Sequence, residues 1–293
     1  MGAFANPHPE RSSAGPEHTK LVLAFESMVR RKVDIEMWYY KWGSDFWNAT
    51  PRWDLQHGRI PEVKYGAGHT APSLDAIING SQDATIRRLA DGARSLRRQF
   101  LFCPFWEMNG KWETWNGVHQ SSRGTHNGPL KFVRAWRHMH DIFVRRHATN
   151  AVWVWSPNKS DQPKAPWNHW TRYYPGDRYV DWVGMDGYNW GTAAKWSRWT
   201  SFETVFRPLY NDYAARKPIM VSETASAEHG GNKAKWIAEA AAAVRSRFPD
   251  LVAIVWFNAD KPEETDWRVN SSSSALDAFT AWIHDPYFNV FGR

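Results

Sequence analysis

Cysteine is almost missing from this chain of 293 residues. Cys103 stands alone, so no internal disulfide can form, and its place in a predicted strand reads as a small buried hydrophobe. No apolar stretch approaches the roughly 20 residues that a membrane-spanning helix needs, so no membrane partner is expected. Phosphate-binding glycine loops of Walker or Rossmann spacing are absent, and so is a Gly-x-Ser-x-Gly nucleophile elbow. Internal repeats, low-complexity tracts and interdomain linkers are lacking too, which leaves one domain over residues 1–293. The segment from Met1 to Pro7 has no basic stretch followed by an apolar one. The expectation is a secreted protein whose signal peptide has been removed, with an intracellular protein as the alternative.

Twelve histidines raise the question of a metal. His138, His140 and His147 share a predicted outer helix at spacings that do not converge, and His119 and His126 fall in a loop, so neither metal nor cofactor is expected. The net charge of +7 would permit a polyanionic partner. Its cations are scattered over presumed outer helix faces, as in Arg87-Arg88 and Arg97-Arg98, so the reading is a solvated face and no nucleic acid partner.

Aromatic rings are abundant: 20 Trp, with aromatics at 15% of residues. Many adjoin Gly, Asn or Asp, as at Trp42-Gly43, Trp115-Asn116, Trp167-Asn168 and Trp190-Gly191, and Trp112 lies two residues from Gly110. Sugar rings stack apolar C–H faces on indoles while their hydroxyls bond Asn, Asp and Glu, so such loops suit a polysaccharide. Trp153 and Trp155, within an apolar run, are read as core.

Strand-like runs alternate with amphipathic segments, which implies parallel strands. The strands are expected at Gly2 to Ala5, Val33 to Tyr40, Ile60 to Tyr65, Phe100 to Pro104, Ala151 to Trp155, Tyr179 to Met185, Pro218 to Ser222 and Leu251 to Phe257. Helices fall between them, among them one N-capped by Asp83, one over Lys233 to Arg247 and a last one over Ser274 to Ile283. This is an α/β chain, a single-domain (β/α)8 TIM barrel, in which loops after the strands build the active site. The long polar loops from Asn116 to Gly128 and Ser156 to Asp177 both follow strands.

Two glutamates stand at the carboxyl ends of buried runs: Glu107 after the fourth strand and Glu223 after the seventh. A lone buried carboxylate loses its hydration and is costly unless paired or used. Glycosidic bond cleavage uses two of them. In the retaining mechanism carboxyl groups about 5 to 5.5 Å apart differ in protonation: one attacks the anomeric carbon, and the other hands a proton to the leaving oxygen.

The segment Trp106-Glu107-Met108-Asn109-Gly110-Lys111-Trp112 resembles the acid/base motif of glycoside hydrolase family 26. Val221-Ser222-Glu223-Thr224-Ala225 is similar to its nucleophile motif. Trp153-Val154-Trp155-Ser156-Pro157-Asn158, Tyr174-Pro175-Gly176-Asp177 and Asp181 to Tyr188 extend the resemblance over nearly the whole chain. It implies a retaining, endo-acting glycoside hydrolase, a monomer, with Glu107 as acid/base and Glu223 as nucleophile. Tyr188 matches a tyrosine that bonds the nucleophile, Asp186 a cleft position, and Trp112 an aromatic near the cleavage point. Asn109 belongs to the acid/base motif and is expected to meet substrate, and Trp256 is expected in the cleft or packing at its rim.

The family usually carries His where this chain has Trp106. An indole offers one donor, no acceptor and a larger apolar face. The resemblance points first to β-1,4-mannan. Trp106 keeps open a β-glucan, a β-1,3-xylan or a microbial cell-surface polysaccharide, and the aromatic loops keep open a glycan-binding protein without turnover.

Overall fold

The computed structural model describes residues 1–6, 16–48 and 50–288. In chain order the elements are β1 (Gly2–Phe4), α1 (Pro16–Val29), β2 (Ile35–Lys41), α2 (Thr50–Gln56), β3 (Ile60–Ala67), α3 (Leu74–Ile78), α4 (Asp83–Ser95), β4 (Phe100–Pro104), α5 (Gly117–Gln120), α6 (Gly128–Arg145), β5 (Ala151–Trp155), β6 (Trp182–Val183), α7 (Phe202–Tyr213), β7 (Ile219–Thr224), α8 (Lys233–Arg247), β8 (Leu251–Phe257), β9 (Asp260–Lys261), β10 (Thr265–Asp266) and α9 (Ser273–His284). Strands β1 to β8 follow one another around a closed barrel, while β9 and β10 form a separate antiparallel pair. The expected (β/α)8 architecture is the one observed.

Five of the helices, α3, α5, α7, α8 and α9, begin where the sequence supplies an oxygen to cap them. Ser73, Asn116, Ser201, Asn232 and Ser272 each accept the free backbone N–H of a first-turn residue, satisfying a donor that has no partner inside the helix. Asp83 is a correction. The cap position of α4 is Gln82, without a side-chain bond; Asp83 is the first helical residue, and its carboxylate accepts from His138 at 2.6 Å and Arg87 at 2.8 Å. The His138 bond holds that carboxyl below the usual carboxylate range, so His138 serves an ion pair.

The chain forms two compact units, residues 38–184 and residues 1–37 with 185–293. In the first, β3 to β6 pair in parallel, with Val63 opposite Phe102 and Phe102 opposite Trp153. Outside these strands α4 buries Ile86, Leu89 and Ala93, and α6 buries Phe132, Trp136, Met139 and Phe143. Phe102 stacks on Phe143 at 5.2 Å and meets Trp153 edge-on at 5.1 Å, the offset and T-shaped geometries aromatic quadrupoles prefer. The strand expected over Tyr179 to Met185 shrinks to Trp182–Val183. Asp177–Tyr179 forms a 3-10 turn whose last carbonyl accepts the Trp136 indole, and 3-10 turns rather than an α-helix make up the elements between β5 and β6.

In the second unit β7, β8, β1 and β2 pair in parallel. Gly2 is needed here, because a Cβ would stand 2.7 Å from the Ile35 carbonyl oxygen. From Val221↔Ile254 to Thr224↔Trp256 the register advances three residues on β7 against two on β8. That extra residue is a bulge, a device that re-aims side chains, and it falls on Ser222 and Glu223.

Candidate active site

Glu107 sits on a turn that the backbone makes at some cost. Beyond Pro104 the chain leaves β4 through Phe105 (φ 57°) and Glu107 (φ 52°), left-handed angles that cost a residue with a Cβ roughly 1–2 kcal/mol each. Three backbone bonds hold the turn: Phe105 N–H to Tyr65 O, Glu107 N–H to Ser156 O at 2.7 Å, and Gly110 N–H to Glu107 O. The Glu107 carboxylate, 9% exposed, accepts from Asn158 Nδ2 at Oε1 (2.5 Å) and from Trp112 Nε1 at Oε2 (2.6 Å).

Asn109, expected at the substrate, is fully buried, and its side chain bonds protein groups at both ends. Its amide donates to the Asn158 carbonyl and to Asp161 Oδ1, both at 2.8 Å, while its Oδ1 accepts the Asn158 N–H. It brackets the loop after β5 and thereby holds Asn158 against Glu107. Burial raises the Asp161 carboxyl and pushes the Lys159 ammonium down to about 8. Asn158 itself is absent from the residues expected at the site, although it ends the run from Trp153 to Asn158 and follows a buried strand.

Tryptophans divide between core and surface differently from expectation. Trp115 is fully buried, its indole donating to the Trp106 carbonyl at 2.7 Å, so it props the turn from beneath. Trp106 is 5% exposed and packs between Tyr39 and Trp115, with the Lys64 ammonium 5.7 Å from its ring. Trp112 is 40% exposed.

Trp256 is a correction. It is fully buried, packs on Trp236 of α8 and Phe279 of α9, and donates to the Trp267 carbonyl, which puts it in the layer between strand and helices. Trp256→Ala is therefore expected to cost about 3–5 kcal/mol of stability with KM unchanged in the folded fraction. Denaturant unfolding beside steady-state kinetics checks this; a substrate contact would raise KM instead.

Glu223, 4% exposed, accepts the Tyr188 hydroxyl at 2.5 Å on Oε2. A hydrogen bond to a charged group contributes about 1.5–3 kcal/mol, and this one fixes the orientation of the carboxylate. The chain from Met185 to Asn189 runs beside β7: Asp186 pairs with Glu223 as a parallel bridge, and Gly187 N–H donates to the Glu223 carbonyl at 3.0 Å. Asp186 is fully buried. Tyr188 is braced by the rings of Trp267 at 5.0 Å and Phe257 at 5.8 Å. Trp267 is held in turn by buried Lys233, which donates to the carbonyls of Asp266 and Arg268 on either side of it and to Ser271 Oγ at 2.8 Å. Burial pushes the Lys233 ammonium down to about 8. Each glutamate thus has its own built donor set: Asn158 and Trp112 for Glu107, Tyr188 for Glu223.

The sequence profile of glycosyl hydrolase family 26 matches residues 39–280. "Endoglucanase H" of Acetivibrio thermocellus is 37% identical over 283 residues, covering 95% of this chain and 30% of that protein, so the chain spans about a third of that relative's length. A "Mannan endo-1,4-beta-mannosidase" of Bacillus subtilis is 31% identical over 154 residues, 45% of this chain and 41% of that protein. Among solved structures, the Bacillus subtilis mannanase BCman superposes with a TM-score of 0.67 at 20% identity, over 97% of this chain and 84% of that one. That likeness concerns the fold.

Proposed function

The chain belongs to glycosyl hydrolase family 26, and from that premise we propose that it is a retaining, endo-acting hydrolase of a β-linked polysaccharide, with Glu223 as nucleophile and Glu107 as acid/base. The observation that carries this reading is the pair of buried glutamates at the carboxyl ends of β4 and β7, each furnished with its own hydrogen-bond donors. In (β/α)8 enzymes the loops after the strands build the active site, and both glutamates stand at such strand ends.

Glu223, oriented by the Tyr188 hydroxyl, attacks the anomeric carbon while Glu107 gives its proton to the leaving oxygen. A glycosyl ester on Glu223 results. Glu107, now ionised, takes a proton from water as that water attacks the same carbon, and the second inversion restores the starting anomer. Only the chain's own carboxyl groups are needed. Because a polysaccharide does not cross a membrane, the reaction belongs outside the cell, and one chain carries both acids, so a monomer suffices.

β-1,4-Mannan is the substrate proposed first, in keeping with the mannosidases among the relatives. A β-glucan is the second reading, favoured by two observations: Trp106 fills its position with a nearly buried apolar ring, and the relative covering 95% of this chain is named an endoglucanase. A panel of galactomannan, glucomannan, mixed-linkage β-glucan and β-1,3-xylan, read as reducing-sugar release and product length, separates them. Short products from mannans are expected under the first reading and from β-glucan under the second. Binding without products on every glycan would leave a non-catalytic glycan binder.

A further inference from the structure

The two oxygens of Glu107 are held by unlike partners. Asn158, on Oε1, is itself fastened: its own Oδ1 accepts the Ser160 N–H at 2.9 Å, which fixes the amide orientation, and its backbone N–H is taken by buried Asn109. Trp112, on Oε2, is 40% exposed and comes from the solvent side. It reaches the carboxylate by folding back across Gly110, where a Cβ would stand 2.5 Å from the indole. Glycine is therefore required for this bond at a position whose backbone has no other need of it.

The geometry points to Trp112 as a cap that the incoming substrate displaces, with Oε2 as the oxygen that carries the catalytic proton and Oε1 as the anchored one. This deepens the reading of Glu107 as acid/base and rests on it. An acid must bring its O–H within hydrogen-bond reach of the glycosidic oxygen. Oε1 already accepts the Asn158 amide, which Asn109 holds in place, so the oxygen offered to the substrate is Oε2, which the indole covers. The indole N–H favours the ionised carboxylate in the free enzyme, and moving it aside leaves that oxygen to hold a proton. The proton then passes from Oε2 to the glycosidic oxygen as the bond to the anomeric carbon breaks and its electron pair stays with the leaving sugar.

The test is the pH dependence of Trp112→Phe, which keeps the ring and removes the N–H, on an unactivated oligosaccharide whose leaving sugar departs in the slow step. kcat/KM reports the free enzyme and kcat the complex. The alkaline limb of kcat/KM is expected to move to higher pH by about one unit, with that of kcat in place. Asn158→Ala, which removes a bond kept throughout, is expected to move both limbs together. If Trp112→Phe moves both limbs equally, the indole stays on Glu107 during turnover; if it moves neither, the bond has no role; either result overturns the cap. Glu107→Ala separates the premise: slow on the oligosaccharide yet releasing the phenol of an aryl glycoside with a good leaving group in a rapid burst, it keeps the acid/base reading whatever Trp112 does, whereas full activity on both substrates removes that reading.

Discussion

Glu223→Ala is expected to lower kcat by about 10^4-fold or more on every glycan the wild type cleaves, because the proposed covalent step would lose its nucleophile and water cannot occupy the same position with the same charge. The expected result has a stereochemical side that a merely damaged protein would not reproduce. Alanine leaves a small space against the anomeric carbon, and azide ion fits there. With an activated β-glycoside, azide restores turnover, and the product is the α-glycosyl azide, since a single displacement inverts the centre once. Tyr188 remains in place to orient the small anion. Recovery of a β-configured azide, or near-wild-type rates without azide, would remove Glu223 from the role.

Glu107→Ala is expected to give a loss that depends on the leaving group. On polysaccharide, whose departing oxygen needs a proton, the rate falls about 10^2- to 10^4-fold. On an aryl glycoside with an acidic phenol the first step proceeds nearly unaided, and the glycosyl enzyme accumulates because no base activates water. Azide, which needs no base, then attacks that intermediate and yields a β-configured product by a second inversion. The alkaline limb of the rate profile disappears with the acid that caused it. Equal losses on both substrate types would mean that Glu107 matters for structure alone.

Much of the barrel could be read from the residues in order. The strands β4, β5 and β8 and the helix α8 begin and end where expected, because continuous apolar runs between turn residues mark fully covered parallel strands. The same continuity hid the direction of individual side chains. In the run from Leu251 to Phe257 no polar residue marks which parity faces the helices, so Trp256 could be set at the cleft on sequence grounds, whereas Trp236 and Phe279 hold it on the other side. Asn109, two residues past Glu107, invites a ligand role by nearness along the chain, but the turn that carries Glu107 rotates it into a buried bracket. Asn158 escaped for the converse reason. Its meaning lies in a bond to a residue 51 positions earlier, and no local pattern encodes that. The positive φ values at Phe105 and Glu107 are silent in sequence as well, since neither residue type favours them.

Those two angles bear on how portable the acid/base segment is. Left to itself, the stretch from Phe105 to Trp112 would relax toward ordinary right-handed or extended angles, and its carboxyl group would swing away. What keeps it wound is borrowed from elsewhere: a carbonyl from Tyr65, another from Ser156, and Trp115 wedged beneath. Grafting the motif onto a different scaffold would therefore transfer the letters without the shape, unless those distant supports came with it.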